Sequence, residues 1–348
     1  MLVTNGQTPA LKVAVFSAQP YDKSFLNQIN RDHFQSVNVE FFYHISPLSK
    51  ETVPLAAGCN AVCVFVNDCV DESILGLLSE QGTRGVFLRC AGFNNVDLKA
   101  AEKLGMFVAC VPAYSPEAVA EFAVALMLTL KTHRAYIRVR EGNFNLNSLL
   151  GFNMHGKTVG IVGVGRIGLA VARILKGFGC HLLAYDPYRV EEFQALGSYT
   201  ELDDLLQQSD IVTLHCPLID STKHLINLDS LKFLKRGAML INTSRGGIID
   251  TNAVIDALKS GQIGALGLDV YVKEAGLFFI DHSFDIIQDD VFQRLITFPN
   301  VLVTGHQAFL TEEALTEIAE TTFQNFQNFV DGTECTNALV GGGATTAK

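Results

Sequence analysis

The sequence predicts an α/β protein made of two doubly wound domains. Three observations carry this. The chain has 348 residues, about twice the ~150 of a typical domain. Hydrophobic residues make up 48% and charged residues 18%, against a usual charged share of about 25%, so there are large cores to fill. Finally, β-branched and aromatic runs alternate with helical segments twice, once before Ser115 and again after Gly156.

In the first third, strands are expected at 11–16, 37–42, 61–66, 85–89 and 106–111, where β-branched and aromatic residues crowd together. Helical character fills 71–79 and 96–104, closed by Gly82 and Gly105. Crossovers of this kind join parallel strands. Ser115-Pro116-Glu117 then supplies an N-cap, a proline at the first helical position and an acid in the first turn. It predicts one helix running to about Glu141, stopped by Gly142 and long enough to bridge two domains. After Gly156, strands are expected at 158–162, 181–185, 211–215, 238–242, 265–269 and 301–304. Helices fit 166–177, 202–207, 228–235 and 251–259, giving a second domain of six strands. Residues 312–330 read as a last helix with Gly332 near its end, and 341–348 as a disordered tail.

Thirty-six acidic against 26 basic residues give a net charge of −10, which argues against nucleic acid or an anionic membrane as a main partner. An anionic substrate would have to be held by a few local cations. No apolar run approaches the roughly 20 residues of a membrane span, and the N-terminus lacks a signal-peptide pattern. A cytoplasmic protein is expected. The eight cysteines show no Cys-x-x-Cys and no clustering with histidine at zinc spacing, so they read as reduced structural thiols, with no metal site.

Gly163-Val164-Gly165-Arg166-Ile167-Gly168 follows the strand Val159-Gly160-Ile161-Val162 and opens a helix. Gly-x-Gly-x-x-Gly alone is weak; between a strand and a helix it has a mechanism. The first glycine makes a tight turn, the second lets backbone approach a pyrophosphate, and the third packs helix on strand. The pyrophosphate then sits at the positive end of the helix. Asp186, 18 residues after Gly168 and just past a strand, is placed to bind ribose hydroxyls and to repel a 2′-phosphate, which predicts NAD rather than NADP. Arg189 softens that preference.

In doubly wound sheets, ligands bind beyond the carboxyl ends of the strands. Three expected strands of the second domain end in chemistry: Arg245 after Leu240–Ser244, Glu274 after Leu268–Lys273, and His306 after Val301–Gly305. Singly, each reads equally well as a surface ion pair or a cap. Together they put a cation, a carboxylate and an imidazole on one rim. His215, which also ends a strand, is the rival base.

The glycine fingerprint, Thr243-Ser244-Arg245-Gly246, Asp269-Val270-Tyr271 with Glu274, and Gly305-His306-Gln307-Ala308-Phe309 resemble the D-isomer-specific 2-hydroxyacid dehydrogenases. The resemblance covers nearly the whole chain. It implies a Rossmann NAD-binding domain, 114–308, inserted in a flavodoxin-like substrate domain made of 1–113 and 309–340. The runs Arg89–Asp97, Val111–Pro116, Phe278–Ser283 and Gln288–Phe292 resemble the fermentative members, which reduce pyruvate to D-lactate. Two departures are Phe93, where relatives often have tyrosine, and Val272-Lys273, where they often have acids.

The resemblance implies roles. Arg245 would bind the substrate carboxylate and polarise the 2-oxo group, work suited to its donor fork. Backbone N–H groups of Ala91 and Gly92 would hold the same carboxylate, and Tyr114 and Phe309 would line the pocket. His306 would pass a proton to and from the substrate oxygen while Glu274 orients it and favours its charged form. Arg166, Ile167, Cys216, Pro217, Thr222, Thr243, Ser244, Arg245 and Asp269 would contact NAD, with Asp269 near the nicotinamide amide. Partners would be a small 2-oxo or 2-hydroxy acid and further copies of the chain, as homodimer or homotetramer. Two alternatives stay open: a relative acting on hydroxypyruvate, glyoxylate or a branched 2-oxo acid, and an NADH-sensing binding protein like the C-terminal-binding corepressors.

Overall fold

The computed structural model describes residues 10–32 and 37–342. The chain divides into two compact units, Met1–Ser115 with Leu310–Lys348, and Pro116–Phe309.

The first unit begins with β1 (Leu11–Val15), α1 (Pro20–Asp32), β2 (Val39–Tyr43), β3 (Ala61–Val64), α2 (Glu72–Glu80), β4 (Gly85–Leu88), α3 (Leu98–Lys103) and β5 (Phe107–Ala109). Every residue of β3 and β4 is buried, as expected of parallel strands covered on both faces. Asp71 and Asp97 start α2 and α3 by accepting from Ile74 N (2.9 Å) and Ala100 N (3.0 Å).

The second unit holds α4 (Pro116–Thr129), α5 (His133–Arg140), β6 (Thr158–Val162), α6 (Arg166–Gly177), β7 (His181–Tyr185), α7 (Glu191–Gln194), β8 (Ser198–Tyr199), α8 (Leu202–Gln208), β9 (Ile211–Leu214), β10 (Ala238–Asn242), α9 (Thr251–Ser260), β11 (Ile263–Leu268), α10 (Asp290–Ile296) and β12 (Val301–Val303). The chain then returns to the first unit as α11 (Glu312–Asp331) and β13 (Ala338–Val340). There Ala319, Phe323 and Phe326 of α11 join the core of Val13, Val15 and Phe87, with the Phe87 and Phe326 rings edge-on at 4.6 Å.

The first sheet runs β13-β5-β4-β3-β1-β2, parallel except for β13, and so reverses direction between β1 and β3. The second runs β12-β11-β10-β9-β6-β7-β8, all parallel, and reverses between β6 and β9. Each reversal opens a crevice at the carboxyl rim, where a doubly wound sheet binds ligands.

Several elements differ from expectation. The helix expected to run to Glu141 is two helices, broken at 130–132. Thr132 Oγ1 and His133 Nδ1 both bond back to the Thr129 carbonyl, at 3.4 and 3.2 Å, and compete with the helical ladder. Composition also changes there, from the apolar, largely buried α4 to α5, none of whose residues is buried. The helix expected at 228–235 is a single 3-10 turn, Ser230–Lys232. Asn227 Oδ1 takes the N–H groups of Asp229 and Ser230 (2.8 and 3.1 Å), so side-chain bonds replace the ladder. The second sheet has seven strands, not six, because the two-residue β8 adds an edge. Further elements without an expected counterpart are α1, α10 and β13. Of the expected tail, residues 343–348 lie outside the described residues, whereas the Gly342 carbonyl accepts from Cys335 N at 3.3 Å. Among the described residues, no helix is long and apolar enough to cross a membrane.

Candidate active site

The glycine loop joins β6 to α6. Gly163 has φ +92°, and a Cβ on it would press on the backbone of His215 and Cys216, at 2.6–2.8 Å. Only glycine fits a positive φ with backbone that close. Gly165 caps α6 and has nothing within 4 Å of where a Cβ would stand, so the space beside the helix N-terminus is open. A Cβ on Gly168 would strike the Gly163 carbonyl, which fixes close packing of helix on strand. Arg166 and Ile167 form the first turn, exposed and half-buried. Asp186, just past β7, accepts from Val164 N at 2.7 Å and from Tyr188 N at 2.8 Å. Its carboxylate therefore stakes the glycine loop.

The remaining rim loops are linked in sheet order. Ser244 Oγ, after β10, donates to the Cys216 carbonyl, after β9, at 2.5 Å. Thr222 closes the loop that follows Cys216, its Oγ1 donating to Pro217 O at 2.6 Å and accepting from Ile219 N at 2.9 Å. Burial pushes the Cys216 thiol up to about 11, so it stays protonated. Asn242, fully buried at the end of β10, accepts from Ser244 N (3.0 Å) and donates to Arg245 O (2.9 Å), setting the backbone that carries the guanidinium. Arg245 is half-buried, donates to Ser244 O at 2.7 Å and has no ion pair among the described residues. The backbone of Tyr271 and Val272 comes so close to Gly246 that no side chain fits there, which joins the β10 loop to the β11 loop. Buried Thr243 Oγ1 has no hydrogen-bond partner among the described residues.

His306 Nδ1 lies 3.0 Å from Glu274 Oε1, and both side chains keep some exposure. Glu274 Oε2 accepts from Tyr271 N at 3.3 Å. His306 has φ +55°, a left-handed conformation uncommon outside glycine, in which Asn, Asp and His are the most frequent of the other residues. The loop is held there by Asp269, whose carboxylate accepts from Thr304 Oγ1 (2.6 Å), Gln307 N (2.9 Å) and Ala308 N (2.8 Å). Asp269 is 0% exposed, and burial pushes its carboxyl pKa up despite those bonds. Asp269 thus clamps the loop that carries His306. Phe279, itself at φ +66°, holds its ring 6.0 Å from that of His306. Phe309 is buried two residues beyond Gln307.

His215 is not placed like His306. Its Nε2 lies 2.8 Å from Thr213 Oγ1, and desolvation lowers its pKa to about 3. It stays neutral in use.

Of the residues expected to touch substrate, Arg245, His306 and Phe309 belong to the second unit, and Ala91, Gly92 and Tyr114 to the first. Ala91 and Gly92 are half-buried beyond the carboxyl end of β4. The sequence reading did not single out Asn242, Thr304 or Phe279. A polar residue closing an apolar strand signals the first two; Phe279 left no such signal. All eight cysteines are free, seven of them buried.

Residues 122–308 match the family model described as D-isomer specific 2-hydroxyacid dehydrogenase, NAD binding domain. The chain is 60% identical over 332 residues to a 2-hydroxyacid dehydrogenase A of Aspergillus oryzae, covering 95% of each chain. It is 59% identical over 335 residues to a D-lactate dehydrogenase of Curvularia clavata, covering 95% of this chain and 96% of that one. Its fold is similar to that of apo D-lactate dehydrogenase from Escherichia coli, with a TM-score of 0.85 and 48% identity over 94% of this chain and all of that one.

Proposed function

The chain belongs to the D-isomer specific 2-hydroxyacid dehydrogenase family, and from that premise we propose that it catalyses the NADH-dependent, reversible reduction of pyruvate to D-lactate. One observation carries the chemistry: an imidazole paired with a carboxylate at 3.0 Å, on the same rim as the glycine turn. The similarity to D-lactate dehydrogenases supports pyruvate as the substrate.

The residues at the rim fit the coenzyme. Gly165 leaves open space at the N-terminus of α6, where the pyrophosphate of NAD would meet N–H groups and the positive end of the helix. Thr243 Oγ1 is a buried hydroxyl with no partner among the described residues. Arg166, Ile167, Cys216, Pro217, Thr222, Ser244, Arg245 and Asp269 would complete the contacts, and the Asp186 carboxylate would select against a 2′-phosphate. When bound, NADH supplies the hydride.

The protein's own residues do the rest. Among the described residues Arg245 makes no ion pair, so its fork can take the substrate carboxylate and draw charge toward the 2-oxo oxygen. Glu274 accepts from Nδ1, which fixes the ring so that Nε2 carries the transferable proton. His306 gives that proton to the carbonyl oxygen in reduction and takes it back in oxidation. The Ala91 and Gly92 N–H groups would receive the carboxylate, and Tyr114 and Phe309 would contact the substrate.

The buried thiols, none of them in a disulfide, support a reducing compartment, the cytoplasm. The net charge of −10 argues against nucleic acid and anionic membranes as partners. Self-association as a homodimer or homotetramer completes the reading. A steady-state assay with NADH and a panel of pyruvate, hydroxypyruvate, glyoxylate and a branched 2-oxo acid tests it. Pyruvate should give the highest kcat/KM and D-lactate as product. A higher value for another acid would reassign the substrate, and no turnover with any would reject the enzyme reading.

A further inference from the structure

The loop that leaves β4 begins and ends on polar side chains anchored beneath it. Arg89, the first residue past the strand, is 2% exposed and its partner Asp22 is 8% exposed. Its Nε donates to Asp22 Oδ1 at 3.1 Å, and Nη2 donates to the Ser17 carbonyl at 2.8 Å and to Asp22 Oδ2 at 3.4 Å. Nη1 donates to the Cys63 carbonyl at 3.4 Å, and the guanidinium stacks 5.0 Å from the Phe65 ring centroid. The start of the loop is thereby tied to α1, to β3 and to the segment just past β1. At the other end, Asn95 Nδ2 donates to the carbonyls of Phe65 and Asp68, each at 2.9 Å. Asp68, also 2% exposed, accepts from Ser17 Oγ (2.7 Å), Leu48 N (2.7 Å) and Phe65 N (2.5 Å). One polar network thus joins the carboxyl ends of β1, β3 and β4.

A buried ion pair is a poor way to add stability, since well-packed apolar residues of similar volume often do as well or better. What it supplies is fixed geometry, and the geometry it fixes lies between Arg89 and Asn95. There the backbone N–H groups of Ala91 and Gly92, both half-buried, reach no acceptor among the described residues. Unsatisfied N–H groups away from water are rare, and successive ones form a concavity that binds anions.

We propose that Arg89, through Asp22, and Asn95 are positioning residues that hold this loop open as a ready-made seat for the carboxylate of the 2-oxo acid. The proposal rests on the reading above that Ala91 and Gly92 receive that carboxylate. Donors fixed in advance need no reorganisation when the anion arrives. In a molecule with a net charge of −10, two fixed N–H dipoles attract an anion without adding a mobile cation.

Asn95→Asp keeps the side chain's shape but turns a carboxylate toward two carbonyl oxygens. Arg89→Lys keeps the charge but loses the fork. For each variant, three quantities are measured beside a thermal melt: KM for pyruvate, the dissociation constant of oxamate (a non-reducible isostere of pyruvate) from the NADH complex, and NADH binding by fluorescence. Pyruvate KM and the oxamate constant should rise about tenfold or more, as expected when a binding group is misplaced. NADH binding should be unchanged, because the candidate coenzyme residues lie in the other unit. Gly92→Pro deletes one N–H and tests the seat itself. If it weakens oxamate while Asn95→Asp does not, the positioning role is wrong and the seat stands. If Gly92→Pro leaves oxamate binding unchanged, the carboxylate is not held there and both ideas fall. Should Arg89→Lys not fold, Asn95→Asp decides the matter.

Discussion

A proton donor for a carbonyl has to be held where the oxygen arrives and has to carry a proton at working pH. His306 meets the first demand through two separate holds: Glu274 on its ring and the Asp269 clamp on its backbone. His215 fails the second, since desolvation lowers its pKa to about 3. His306→Gln should therefore cost roughly 10²- to 10⁴-fold in kcat with NADH binding retained, and His215→Gln far less. Glu274→Gln takes away the carboxylate that accepts from Nδ1 and fixes the ring, so kcat for pyruvate should fall while NADH binding is retained. The check is kcat beside an NADH titration; an unchanged kcat in Glu274→Gln would break the pairing. Arg245, Glu274 and His306 were legible in the sequence because each ends an apolar run, where alternation stops and chemistry stands out. Asp269 ends such a run too, yet its partners at 304, 307 and 308 lie 35 to 39 residues away. Arg89 and Asp22 are 67 apart. No local pattern reports a bond across such distances.

At the scale of an element, the loop from β6 to α6 shows why its signal was readable. Each glycine answers a steric demand made by backbone next to it, so the spacing alone carries the geometry. Asp186 is less simple, because the carboxylate proposed to bind the ribose also accepts from Val164 N at 2.7 Å. The two roles separate by substitution. Asp186→Asn keeps an acceptor for Val164 while removing the charge; Asp186→Ala loses both. In both variants the preference for NADH over NADPH should fall by about tenfold, the equivalent of ~1.4 kcal/mol. Affinity for either coenzyme should drop further in the alanine variant, as the loop loses its stake. Comparing kcat/KM for both coenzymes reads this out, and equal use by the unmodified protein would refute the charge argument. A local cap did not by itself make a helix legible: Asp250 stands before α9, which was expected, and Asp289 before α10, which was not. The break between α4 and α5 is hidden because the start signal at Pro116 and the stop at Gly142 frame it, while the Thr132 hydroxyl between them acts through a bond to the backbone.

For the whole molecule, the doubled α/β plan followed from the alternation of strands and helices, and the two strand orders place both reversals at carboxyl rims. What alternation does not explain is α5 and the segment after it. None of the residues of α5 is buried, yet Tyr136, Ile137 and Val139 are exposed there. Beyond it, Phe144 is 73% exposed, Leu146 80% and Leu150 101%. Six large apolar side chains within fifteen residues exceed the scatter of single surface apolar residues on a monomer. Charge repulsion between copies at −10 has to be outweighed by apolar burial if the protein associates, and this segment offers it. The occupant consistent with the proposed homo-oligomer is the same segment of a second copy, a self-complementary contact about a two-fold axis. Sedimentation should then give a mass that is a multiple of 37.9 kDa. Phe144→Asp with Leu146→Asp should move it toward the monomer while leaving NADH binding intact, since neither residue lies on the rim. A parent protein that sediments as a monomer at micromolar concentration would sink the oligomer reading. A double variant that keeps the parent's mass would place the contact elsewhere on the surface.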